Sequence, residues 1–142
     1  MKKILSITLV NALFALAACG QKLDMSKVPA AVKSSFTRQF PGAVAKWEKE
    51  EELYEAGFQQ DGHEMSALFE ANGTLKETEI GIPPSELPAH IKQYVKDHYK
   101  GMSIKEAAKI TSSAGDTEYE AAIKGRDLIF DNKGNFIKEI KH

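Results

Sequence analysis

Two stretches of this chain repeat nearly the same pattern 59 residues apart, and that repetition limits the possible folds more than any other feature. Ser26-Lys27-Val28-Pro29-Ala30-Ala31-Val32-Lys33 aligns with Ser85-Glu86-Leu87-Pro88-Ala89-His90-Ile91-Lys92, and Phe40-Pro41-Gly42 aligns with Tyr99-Lys100-Gly101. Further on, Tyr54-Glu55-Ala56 pairs with Tyr119-Glu120-Ala121 at an offset of 65. Leu68-Phe69-Glu70 and Gly73 pair with Ile129-Phe130-Asp131 and Gly134 at 61. Order is kept throughout, and the drifting offset places small insertions in loops. A recurring period of this kind marks one supersecondary unit used twice. The expected units are residues 25–82 and 83–142, joined at Ile82-Pro83-Pro84 and forming one domain over 25–142.

Each unit is expected to open with a helix. Ser26 and Ser85 are suited to cap free backbone N–H groups. Pro29 and Pro88 then fall in the first turn, where a missing N–H costs little. Val28, Val32, Phe36 and Phe40 recur every four residues and form one apolar stripe; Leu87, Ile91, Tyr94, Val95, Tyr99 and Met102 form the second. Pro41-Gly42 and Gly101 are the expected stops. Strands follow. Met65, Ala67 and Phe69 alternate with Glu64, Ser66 and Glu70, the period of a half-buried strand. Asn72-Gly73 reads as a tight hairpin with Thr74–Ile80 returning. In the second unit, Leu128 to Phe130 runs into Asp131-Asn132-Lys133-Gly134, and Asn135–Ile140 returns. Earlier strands are expected at Val44–Lys49, Leu53–Gln59, Ile104–Thr111 and Glu118–Lys124. The expected class is α+β: a tandem repeat of a helix followed by three to four antiparallel strands, with both helices packed on one face of a curved antiparallel sheet. An antiparallel sheet can leave its other face wet.

The start of the chain has a different character. Met1-Lys2-Lys3 precedes a mostly apolar run, Ile4 to Ala18, which ends at Cys19, the single cysteine. A basic start, a short apolar stretch and small residues before a cut describe a secretory signal. The run is shorter than the roughly 20 residues a membrane-crossing helix needs. Leu16-Ala17-Ala18-Cys19 resembles a bacterial lipobox. That resemblance implies removal of residues 1–18, lipid on Cys19, and residues 19–24 as lipidated terminus and tether. Because Gly20 rather than Asp follows the cysteine, it also implies the outer membrane, facing the periplasm. Two or more acyl chains are needed for stable anchoring. Without the two lysines of the signal, 17 cationic side chains face 20 carboxylates, a net charge of −3 with neutral histidines. Nucleic-acid surfaces need a basic face, so that class of partner is excluded. No cysteine remains to form a disulfide within the folded part, which must rely on its core.

The doubled helix-plus-hairpins unit behind such a signal resembles the bacterial PepSY-like proteins, grouped with the β-lactamase-inhibitor-protein (BLIP-like) fold. The resemblance covers roughly Met25 to His142. It implies a binding module that engages a protein or peptide through the open sheet face. It does not carry β-lactamase over as the target, since the repeats here are shorter and lack disulfides.

Catalytic patterns are not found. His63, His90, His98 and His142 lack the tight spacing of a metal site. Asp131 to Asn135 places Lys133 where a calcium loop needs an oxygen and is too short for one, so it reads as a turn. No G-x-S-x-G elbow occurs. The run Glu48, Glu50, Glu51, Glu52 reads as a solvated edge or turn, with steering of a basic partner as the other reading. Trp47, Tyr54, Phe58 and Tyr119 lie on expected strands. Such aromatics serve either as core or as binding anchors, and with one sheet face open they are the candidate partner-binding residues. The expected function is that of a lipid-anchored, non-enzymatic binding module with no cofactor. Its partners would be the membrane, through Cys19, and an envelope protein or peptide, with an enzyme that it restrains as one such partner. The alternative is a periplasmic sensor or carrier of a small ligand or metal ion.

Overall fold

The structure is a computed structural model and describes residues 21–142. The expected signal and its lipidation site, Cys19, lie outside the described residues. Each helix is entered the same way. The residue before a proline is pushed into extended backbone, and Val28 (ψ 130°) and Leu87 (ψ 143°) both obey. No helix can run through them. The chain therefore makes a single 3-10 turn, Met25–Lys27 or Pro84–Glu86, and restarts as α1 (Ala30–Gln39) or α2 (Ala89–His98). This corrects the expected caps. Ser26 lies inside the 3-10 turn, where its N–H donates to Asp24 Oδ1 at 2.8 Å, and Ser85 sits at the matching place. Pro29 and Pro88 hold the N-cap positions. Both helices stop where expected, with Gly42 (φ 83°) and Gly101 (φ 77°) in left-handed backbone. Met102, expected in the second stripe, lies past that stop and is exposed.

Among the described residues, nine antiparallel strands form one sheet in sequence order. They are β1 (Gln21–Leu23), β2 (Lys46–Glu50), β3 (Leu53–Gln60), β4 (His63–Phe69), β5 (Leu75–Ile82), β6 (Glu106–Ser112), β7 (Thr117–Ile123), β8 (Arg126–Asp131) and β9 (Phe136–Lys141). Four strands follow each helix. β1 corrects the reading of residues 19–24 as a plain tether: Gln21, Lys22 and Leu23 pair with Lys49, Glu48 and Trp47. Leu23 packs against the first core, so backbone pairing and apolar burial together fix it. The halves meet where β5 pairs with β6 over six register positions, Glu77↔Ser112 through Ile82↔Ala107. Register shifts fall at Leu68/Phe69 and Ile129/Phe130, equivalent places in the two halves.

Both helices cover the same face of the sheet. Val32, Phe36 and Phe40 pack on Trp47, Ala56, Phe58, Ala67 and Phe69. Leu87, Ile91 and Val95 pack on Ala107, Ala121, Ile123, Leu128 and Phe130. Phe36 is the hub of the first core, with ring centroids 5.1 Å from Phe58 and 5.4 Å from Trp47 and Phe40. Side chains alternate along strands, so the residues between these positions point to a second face that neither α1 nor α2 covers.

Among the described residues, no helix is long and apolar enough to cross a membrane.

Candidate functional site: an acidic sheet face

The four aromatic candidates do not lie on the helix-free face. Trp47 (5 % exposed) and Phe58 (6 %) belong to the first core, where Tyr54 packs beside them, and Tyr119 packs against the second. This is a correction with a simple cause. Each shares its strand parity with the residues beneath the helices, and burying such rings contributes more than exposing them.

Their neighbours in sequence take the other face, and they are mostly acids. Glu55 sits between Tyr54 and Ala56, Glu77 and Glu79 flank Thr78, and Glu118 and Glu120 flank Tyr119. The ladders then bring these positions together. Glu55 is opposite Leu68, and Leu68 is opposite Glu77. Glu79 is opposite Ser66 and Ile110, and Ile110 is opposite Glu118. Glu120 is opposite Ala108 and Ile129, and Asp127 is opposite Ala122 and Ile140. A small apolar cluster of Ile110, Ile129 and Ile140 runs among the carboxyls, with no helix residue in it.

Several of these acids are buried. Glu79 and Glu120 are each 2 % exposed, and Glu77 and Asp127 are nearly as enclosed. Ionised carboxylates in such surroundings cost free energy, so burial raises the pKa of Glu77, Glu79 and Glu120. Burial, then the neighbouring Glu50, lifts Glu55 to about 7, against a hydrogen bond from Ser66 that lowers it. Burial, then Glu118, lifts Glu77 to about 7, with Lys138 pulling the other way. Burial and the charges of Asp127, Glu106 and Glu77 bring Glu120 to about 8. Glu79 is held well above the carboxylate range by burial and by Glu120, Glu77 and Glu55. Oε1 of Glu79 and Oε2 of Glu120 are buried without a hydrogen-bond partner among the described residues. Asp127 differs, because His142 Nε2 lies 2.6 Å from its Oδ2. Near neutral pH the face therefore holds closely set carboxyls, some neutral and some charged, and two of them keep an unused oxygen.

The remaining sequence candidates settle into structural roles. Glu51 (φ 52°) and Glu52 make the turn between β2 and β3, while Glu48 and Glu50 lie on β2 at the margin of the acidic face. Asp131 Oδ1 accepts from the N–H groups of Lys133 (2.8 Å) and Asn135 (2.9 Å), which makes the segment a hairpin turn, as expected. His63 contacts the Gly81 carbonyl, His98 stacks on Tyr94, and His90 lies against Gly134. Among the described residues, no group of three or more His, Cys, Asp or Glu side chains is placed to hold a metal ion.

Solved structures share this architecture. A "BLIP-like protein" from Bacteroides fragilis superposes with a TM-score of 0.62 at 22% identity, covering 80% of this chain and 86% of its own. A DUF2874 family protein from Bacteroides uniformis reaches 0.70 at 16% identity, covering 80% and 88%. One of the "putative periplasmic proteins" from Bacteroides eggerthii reaches 0.72 at 13% identity, with the same coverage. At these identities the likeness is one of fold. No curated protein matches the chain significantly. The family described as "Putative beta-lactamase-inhibitor-like, PepSY-like" matches in two overlapping stretches, residues 17–76 and 52–138. With nearly all of the described chain inside those stretches, and with two helices backing one face of an open antiparallel sheet, the protein belongs to this PepSY-like, β-lactamase-inhibitor-like family.

Proposed function

We propose that this protein is a non-enzymatic binding module of the bacterial envelope, which holds a protein or peptide partner against the helix-free face of its sheet. In this reading the two units are copies of one helix-and-four-strand element. The chain is anchored through lipid on Cys19 to the outer membrane, facing the periplasm, and the partner is an enzyme whose activity is restrained by the contact. The observation that carries the proposal is the face itself. It is a broad sheet surface away from α1 and α2, and two carboxyl oxygens on it, Glu79 Oε1 and Glu120 Oε2, have no hydrogen-bond partner among the described residues. Its fold likeness to a BLIP-like protein and to a periplasmic protein points the same way.

The experiment is site-directed photocrosslinking of the full-length protein in its own cells. A photoreactive residue replaces Gln59 or Glu118 on the helix-free face, or Arg38 on the exposed side of α1. A protein trapped from positions 59 and 118 but not from 38 is the expected result. Trapping from position 38 alone would place the contact on the helices and end this assignment.

A further inference from the structure

We propose that the partner engages the helix-free face through a cationic side chain, an arginine or lysine projecting from a protein segment and seated against Glu79 on β5 and Glu120 on β7. The inference rests on the binding reading given above and adds the chemistry of the partner.

Three observations converge on it. The first is the pair of unpartnered oxygens. Glu79 Oε1 and Glu120 Oε2 are buried and have no hydrogen-bond partner among the described residues. A buried polar atom left unpaired costs free energy, so the fold carries acceptors that a donor from outside could satisfy. The second is the company these groups keep. The charges bearing on Glu79 and Glu120 come from Glu77, Glu55, Glu106 and Asp127, all carboxylates. Arriving positive charge relieves that repulsion, whereas an acidic or neutral guest would not. The third is a precedent within the molecule. Lys138 reaches this face from β9 and stabilises the charged forms of Glu77 and Glu118, so the face already accommodates one cationic side chain.

The surroundings suit the stem of such a guest as well as its head. Ile110 separates Glu79 from Glu118 along one register line, and Ile129 lies opposite Glu120. Long basic side chains bury their methylenes on apolar surface while the charged end finds its acceptors. An arginine has five donors in a fixed plane and can serve two carboxyls at once. A bare metal ion is a poorer fit, because among the described residues no three ligating groups are placed around one point.

The test uses full-length protein in mild detergent and a displayed library of random dodecapeptides, selected at low salt. Recovered peptides are synthesised with a photoreactive group, their crosslinks are mapped, and their affinities are measured against wild type, Glu79→Gln, Glu120→Gln and the double variant. Glutamine keeps the shape but cannot ionise, and thermal melts confirm folding; if the double variant melts early, the single variants decide. The proposal expects peptides rich in arginine or lysine that crosslink to the helix-free face and bind about tenfold or more weakly to the glutamine variants. Peptides that crosslink there without basic enrichment would overturn the cationic guest and leave the binding face standing. Basic peptides indifferent to both glutamine variants would overturn it too, as general charge attraction. If no peptide crosslinks to this face, the binding reading falls with it.

Discussion

At the residue scale, the buried glutamates make stability depend on pH in an unusual direction. Most folded proteins hold carboxylates whose pKa is lowered, and they lose stability in acid. Here Glu55 and Glu77 at about 7, Glu120 at about 8, and Glu79, held well above the ordinary carboxylate range, keep protons that the unfolded chain has already given up above about pH 4.5. Their contribution is complete below that pH and is lost as pH climbs through 7 to 8. Each group that retains a proton contributes a slope of up to about 1.4 kcal/mol per pH unit across its window. The melting temperature should therefore fall between pH 5 and pH 8.5. Glu79→Gln, which stays neutral, should flatten that fall, leave stability at pH 5 unchanged, and add about 1–3 kcal/mol at pH 8.5. Thermal melts across pH check this, and a wild-type melting temperature that rises over the same range would contradict it. Glycine matters at one turn in particular. Gly73 adopts φ 87°, and a Cβ there would lie 2.6 Å from the Ala31 carbonyl oxygen of α1. Gly115 adopts φ 90° with open space around it. Both alanine variants should lose the roughly 1–3 kcal/mol of left-handed strain, but Gly73→Ala must also push α1 off the hairpin. In urea titrations it should be the more damaging of the two by at least about 1 kcal/mol.

Helices and hairpins show how far the sequence could be read, and why reading stopped where it did. The apolar stripe from Val28 to Phe40, the Asn72-Gly73 turn and the period-2 alternation of β4 are local signals, and they identify their elements within a residue or two. At the entry to each helix two local rules compete. A serine near a helix start favours capping, yet Pro29 and Pro88 force the preceding residue to extend, and the proline rule wins for steric reasons. β1 was unreadable because three residues become a strand only when a partner edge lies beside them. The acidic face was half legible: Glu77-x-Glu79 and Glu118-x-Glu120 alternate with core positions, which places them on the far side of the sheet. Their convergence depends on cross-strand register, which no single strand reveals, whereas the run at Glu48–Glu52 is plain in the sequence. The aromatic candidates failed for a related reason, since parity decides the face and only the helix contacts reveal which parity is covered. The same packing yields a comparison between halves. Phe36 and Val95 occupy equivalent positions on α1 and α2, and Phe36 touches four aromatic rings. Phe36→Ala should cost about 3–5 kcal/mol and Val95→Ala about 2, because the cavity scales with the side chain removed. Chemical denaturation of the two variants measures the difference.

For the whole molecule, the question is whether two cores make two folding units or one. Each half has its own helix and its own apolar cluster, and no residue belongs to both clusters. What joins them is the β5–β6 ladder, six paired positions long and extended by a bond of 2.8 Å from Ser113 N–H to the Lys76 carbonyl. If either half unfolded alone, the other would expose this ladder as a bare strand edge and uncover the acids facing it. Glu77 and Glu79 come from one side of the seam, and Glu118, Glu120 and Asp127 from the other. The enclosure of Glu79 at 2 % exposure thus depends on both halves being in place, and so does the proposed binding face. Cooperative unfolding is expected. Trp47, the single tryptophan, lies in the first core, so its fluorescence follows that half, while far-UV circular dichroism averages over both. The two transitions should coincide in urea. Phe36→Ala, a lesion confined to the first core, should shift both probes to the same lower midpoint and should also speed amide exchange at Leu128 and Phe130 in the second. A tryptophan transition that precedes the dichroism transition, with exchange at Leu128 and Phe130 unchanged, would mean that the halves fold separately. The acidic face would then be assembled from two independently folded parts.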